Sequence, residues 1–179
     1  MQRLAAGLDR LSARLDRVAM VLAVVALGIM LGAALWQTVA RYLLNSPPIW
    51  TEELARRAMV WAGMLGASCA FRAGANPVLF PAMLTIRGGM GAMLSLVRAA
   101  GVVVFVAPVL WFSIFAPGMN VARGFLGRSL ERKAEMLGVP MIWFTAAVPV
   151  ALAIILIHML AVLASELAGR DAATADETK

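Results

Sequence analysis

Val18–Ala40 (VAMVLAVVALGIMLGAALWQTVA) runs for 23 residues without a charge, bounded by Arg17 and Arg41. At ~1.5 Å per helical residue it reaches about 35 Å, enough to cross a ~30 Å hydrocarbon core with some tilt. Similar apolar stretches recur later in the chain. They set the solvent in which the rest of the sequence must be read.

The composition agrees. Of 179 residues, 62% are hydrophobic and 15% charged, against about a quarter charged in a soluble domain. Mean hydropathy is +0.85. Four spans of ~20 residues fill about half the chain and leave loops and tails but no separate soluble domain. The net charge of +6 is scattered beside apolar segments. That pattern suits anionic lipid headgroups and excludes a nucleic-acid partner. Cys69 is the lone cysteine, so no intramolecular disulfide can form. The first 17 residues, with Arg3, Arg10, Arg14 and Arg17, precede an apolar run longer than a signal h-region, which predicts a retained first span.

Outward from that run, Leu4, Leu8, Leu11 and Leu15 fall at helical spacing, which predicts an amphipathic N-terminal helix over 1–17 on the membrane surface. The first span, about 18–41, ends at the interfacial pair Arg41-Tyr42. Asn45-Ser46-Pro47-Pro48 breaks the helix. Thr51 reads as the next N-cap, with Glu52 and Glu53 where the helix dipole favours anions. Only 14 uncharged residues separate Arg57 from Arg72, about 21 Å of helix. The second span, about 51–71, must therefore carry Glu52, Glu53, Arg56 and Arg57 to headgroup depth. The acids precede the arginines at i,i+4, the favourable order. Three readings are open for them: a charged helix start, polar contacts with a partner membrane protein, or a proton or substrate site. The pairing argues against the last, because a neighbouring arginine removes a carboxylate's capacity to relay protons.

Gly74, Pro77, Pro81, Gly88, Gly89 and Gly91 argue against one continuous helix over 73–98 and suggest a cytoplasmic connector with a short interfacial helix. The third span follows at about 95–117, with Pro108 a kink site. Residues 118–139 read as a polar loop, and the fourth span as about 140–164. The acidic tail, 165–179, reads as disordered. The fold class is thus an all-α integral membrane protein, its four-helix domain covering 18–164. Four arginines before the first span put both termini inside. Gly63, Gly66, Ala67 and Ser68 form a small-residue face on the second span. His158, the single histidine, excludes a bis-imidazole haem and reads as a hydrogen-bonded structural residue. No Cys/His cluster or glycine-rich phosphate loop is present.

The segments Val39-Ala40-Arg41-Tyr42, Asn45-Ser46-Pro47-Pro48-Ile49-Trp50-Thr51-Glu52-Glu53-Leu54-Ala55-Arg56, Trp61 and Leu65-Gly66-Ala67 resemble the small membrane subunit of TRAP (tripartite ATP-independent periplasmic) transporters, the DctQ-like family. Val139-Pro140-Met141-Ile142-Trp143 and Ala147-Val148-Pro149 are similar to its fourth-helix pattern. The sequence departs from the family after the second span, where Gly74 is followed by Ala75-Asn76 instead of a nearby histidine. The resemblance implies a non-enzymatic subunit of the bacterial inner membrane, with no cofactor of its own. Its implied partners are membrane lipids, a periplasmic solute-binding protein and a large membrane subunit. That subunit would couple organic-acid uptake to sodium, and this chain would brace its static scaffold. Arg41, Trp50, Glu52, Glu53, Arg56, Trp61, Gly63 and Gly66 are then the expected interface with it. Two other classes fit the bare pattern: a four-span membrane enzyme with a pocket of Arg72, Arg87 and Arg98, and a generic assembly protein.

Overall fold

The computed structural model describes residues 2–74 and 88–177. Its elements in order are α1 (Gln2–Tyr42), α2 (Trp50–Arg72), α3 (Gly88–Ile114), α4 (Phe125–Glu131), α5 (Ile142–Thr145) and α6 (Ala147–Glu177). The protein is all-α. Three stretches are long and apolar enough to cross a membrane: Arg3–Tyr42, Gly89–Ile114 and Ile142–Ala168.

Helices α1 and α2 form an antiparallel hairpin, α6 packs against both, and α3 packs on α6 and α4. The core is a set of narrow seams. On α1 the buried residues are Ala5, Ser12, Ala19, Ala26, Ala33 and Ala40, seven apart throughout, with Ala23 beside them. Thr51, Ala58 and Leu65 repeat the interval on α2, Ala99, Val106 and Ser113 on α3, and Ala151 with His158 and Ala161 with Ala168 on α6. A seven-residue repeat keeps one narrow face toward a neighbour when helices wrap left-handed. Small side chains on that face let backbones approach closely, which drives association where lipid removes any hydrophobic gain. The large apolar residues of α1 point outward instead: Val18, Val21, Val24 and Leu35 are all more than half exposed.

Several sequence expectations change. α1 is one continuous helix of 41 residues, and Ser12 of its first part is fully buried in the bundle. The N-terminal segment therefore extends the first span as a packed rod. The N-cap of α2 is Ile49, without a side-chain bond. Thr51 lies inside the first turn and donates its hydroxyl to the Pro48 carbonyl at 2.6 Å. Of the expected connector, residues 75–87 lie outside the described residues. From Gly88 the chain is already α3, which ends at Ile114 with Pro108 inside it. Gly88, Gly89 and Gly91 join the helix because lipid offers the backbone no other hydrogen-bond partner.

The polar loop contains α4, entered through a tight turn. A Cβ on Gly124 would stand 2.1 Å from the Ile114 carbonyl oxygen, and one on Gly127 2.4 Å from that of Val121. Only glycine fits this close backbone approach. Pro149 falls in the first turn of α6, where its missing N–H costs nothing. α6 continues through Glu177 as helix: once a helix is started, each added residue gains a backbone bond at little cost.

Candidate functional site

Two polar assemblies tie the helices together, one at each end. At the loop end, the start of α2 faces the segment between α4 and α6. Glu53 is 6% exposed. One carboxylate oxygen accepts the Met136 and Leu137 backbone N–H groups at 2.9 and 3.3 Å. The other accepts Arg57 at 3.0 Å. The Arg57 guanidinium lies 5.5 Å from the centre of the Phe144 ring. One turn on, Trp61 donates its indole N–H to the Trp143 carbonyl at 2.7 Å. A single acidic side chain thus caps a loop 83 residues away in sequence and neutralises the arginine beside it.

At the other end the seams of α1, α2 and α6 converge. Ser12, on the α1 seam, shares a 2.7 Å hydrogen bond with His158 Nδ1, on the α6 seam. Arg72, seven residues beyond Leu65 on α2, donates to the same Ser12 oxygen and to Asp9 at 3.1 Å. The Cys69 thiol donates to the Asp16 backbone carbonyl at 3.7 Å. His158 and Ser12 have no solvent exposure. Further along α6, Arg98 of α3 pairs with Glu166 at 2.7 Å. Polar residues placed in an otherwise apolar seam specify register, because a slip leaves them unpaired.

The expected interface residues divide into two groups. Glu53 and Trp61 turn inward and are spent on the internal joint. Arg41, Trp50, Glu52, Arg56 and Gly63 are exposed, and Gly66 is half-buried. The small-residue face also divides: Gly63 and Ala67 point out while Ser68 is fully buried, bonded to Leu65 O at 2.7 Å. At 100° per residue three consecutive positions cannot share a face. What α2 presents outward is a stripe of Glu52, Arg56, Met59, Gly63 and Ala67. The Glu52–Arg56 pair on it is open, at 3.7 Å.

The sequence reading missed Ser12, Asp9, Asp16 and the 136–137 amides. The signal for Ser12 was the alanine repeat it interrupts. Arg72 and Arg98, offered for an enzyme pocket, are each engaged by an acid, and Arg87 lies outside the described residues. Among the described residues no three His, Cys, Asp or Glu side chains cluster as a metal site.

Long apolar helices joined through alanine seams, with Glu53, Arg57, Arg72 and Arg98 committed to structural joints, define a membrane-embedded protein built to pack. The family comparison names the kind: residues 30–169 match the DctQ component of tripartite ATP-independent periplasmic transporters, and the chain belongs to that family. It is a TRAP transporter's small membrane subunit, a transporter component and not an enzyme. No curated protein is a significant match.

Proposed function

We propose that this subunit braces the static scaffold of a large, sodium-driven elevator subunit in the bacterial inner membrane, in a system that takes up organic acids captured by a periplasmic binding protein. The outward stripe of α2 carries the reading. It is an exposed helix face in an apolar protein, with a charged pair at one end, Met59 beside it and the small residues Gly63 and Ala67 beyond. In lipid such a face suits close helix packing finished by a polar contact. Arg41 and Trp50 extend the exposed surface at its loop end. The solute and the coupling ion are implied by the family resemblance and would be handled by the partner subunits.

In this reading α2 is a fourth span. Glu53 and Trp61 bond to the loop that leads into α6, whereas Arg72 bonds to Asp9 and Ser12 near the start of α1. The helix therefore runs the length of the bundle antiparallel to α1, through the layer its neighbours occupy. Its shortage of uncharged residues is met by hiding Glu53 and Arg57 against the loop. Both termini then lie on the arginine-rich cytoplasmic side.

Co-purification of the two membrane subunits in mild detergent tests the brace. Gly63→Leu combined with Glu52→Arg should strip the large subunit from the chain while leaving the thermal melt of the small subunit unchanged. An intact complex with full solute uptake would refute the interface.

A further inference from the structure

The joint where α1, α2 and α6 converge fixes the state of its own imidazole. A guanidinium only donates hydrogen bonds, so Arg72 occupies Ser12 Oγ as an acceptor. The Ser12 O–H must then donate, and His158 Nδ1 is the acceptor it meets, at 2.7 Å. Nδ1 therefore carries no proton, and the neutral ring holds its one proton on Nε2. In the reverse tautomer the serine oxygen would accept from both Arg72 and Nδ1–H, and its own proton would need another acceptor; none is found among the described residues.

The Nε2–H donor this creates is on a side chain with no solvent exposure, and it has no partner among the described residues. Asp16 Oδ1 is likewise buried and unpartnered. Asp16 follows Ser12 by four residues, one turn further along α1, and its backbone carbonyl accepts the Cys69 thiol of the same joint. The other polar groups of the joint are committed. Asp9 accepts from Arg72, and the Cys69 thiol donates to the Asp16 carbonyl. What remains is one donor and one acceptor, both shut away from solvent, at one end of a span.

The chemistry of this pair selects its ligand. A cation would need a lone pair from Nε2, which is protonated. An anion would meet the Asp16 carboxylate. A water molecule accepts from Nε2–H and donates to Oδ1, and buried waters of this kind satisfy two to four polar groups. We infer that a single structural water bridges His158 Nε2 and Asp16 Oδ1. It closes a hydrogen-bonded loop that leaves α1 at Asp9, passes through Arg72 of α2, Ser12 and His158 of α6, and returns to α1 at Asp16. Three helices are locked in rotation and register by one closed circuit, which is more than its separate pairs can do.

His158 is the only histidine in the chain, so ring-15N-histidine labelling of the full-length protein in detergent yields a single-site NMR spectrum. The expected spectrum at neutral pH is the Nε2–H tautomer, with a cross-peak from the Nε2 proton to bound water. Asp16→Ala should shift the Nε2 resonance while Nδ1 stays in place, and Ser12→Ala should do the opposite. A ring protonated on Nδ1, an Nε2 proton without a water cross-peak, or an Nε2 signal indifferent to Asp16→Ala would each overturn the bridge. The tautomer and the water cross-peak are read on the unmutated protein, so the result stands even where a variant fails to fold.

Discussion

Replacing Glu53 with alanine removes three hydrogen bonds at once: from the Met136 amide at 2.9 Å, the Leu137 amide at 3.3 Å and Arg57 at 3.0 Å. Bonds to a charged acceptor contribute about 1.5–3 kcal/mol each where buried. Stripping one partner from a buried ion pair costs roughly 3–5 kcal/mol. The Arg57 side chain is 30% exposed and can turn to water, so the lower end of that range applies, about 3 kcal/mol, or a more than hundredfold shift in the unfolding equilibrium. The assay is unfolding of the detergent-solubilised chain by added denaturing detergent, followed by tryptophan fluorescence. A cycle with Arg57→Ala and the double variant isolates the coupling. Glu52→Ala, in a pair 3.7 Å long with both side chains more than half exposed, should change stability by less than about 0.5 kcal/mol. A Glu53→Ala variant as stable as the Glu52→Ala control, or a strictly additive cycle, would show that the joint does not hold the loop.

Ala26→Leu should destabilise the hairpin by about 1–3 kcal/mol through overpacking of the seam, whereas Ala34→Leu, on the exposed side of α1, should be neutral; the same fluorescence titration separates them. Gly127→Ala should disrupt the turn before α4, since its Cβ would meet two carbonyl oxygens within 2.5 Å, and limited proteolysis should then cut within 118–131. Trp61→Phe removes the bond to the Trp143 carbonyl and trims an indole packed on the core around Leu65 and Cys69; it should cost about 1–3 kcal/mol, read as a shift in the melt. Glu166→Gln, at a partly exposed pair with Arg98, should shift the melt by less than about 1 kcal/mol.

The positions of the long apolar helices and the i,i+4 pairing of Glu53 with Arg57 were legible because hydropathy and helical spacing are local properties. The destination of Glu53 was not. Its carboxylate serves amides at 136 and 137, and nothing in the local pattern distinguishes it from Glu52, one residue away and open to solvent. The same limit applies to His158: a lone histidine in an apolar run predicts a hydrogen bond but not its partner, here Ser12, 146 positions earlier. The seam of α1 was overlooked for another reason. The leucines at 4, 8, 11 and 15 draw the eye to the largest side chains, yet Leu4 and Leu11 are exposed and Leu8 and Leu15 only half-buried, while Ala5 and Ser12 make the contact. Rules learned from water invert here, since bulk marks exposure and alanine marks contact.

Alanine has no χ rotamers to lose, so a contact made through it forfeits no side-chain freedom on folding. A hairpin zipped by alanine at 5, 19, 26, 33 and 40 is therefore unusually unequal in what evolution can alter. On the bilayer-facing surface of α1 almost any greasy residue serves, and drift there is free. Along the zipper, by contrast, every available exchange either adds volume to a place without room or, as glycine, loosens the helix itself. Divergent members of the family should therefore keep this line of small residues long after the rest of the helix has become unrecognisable.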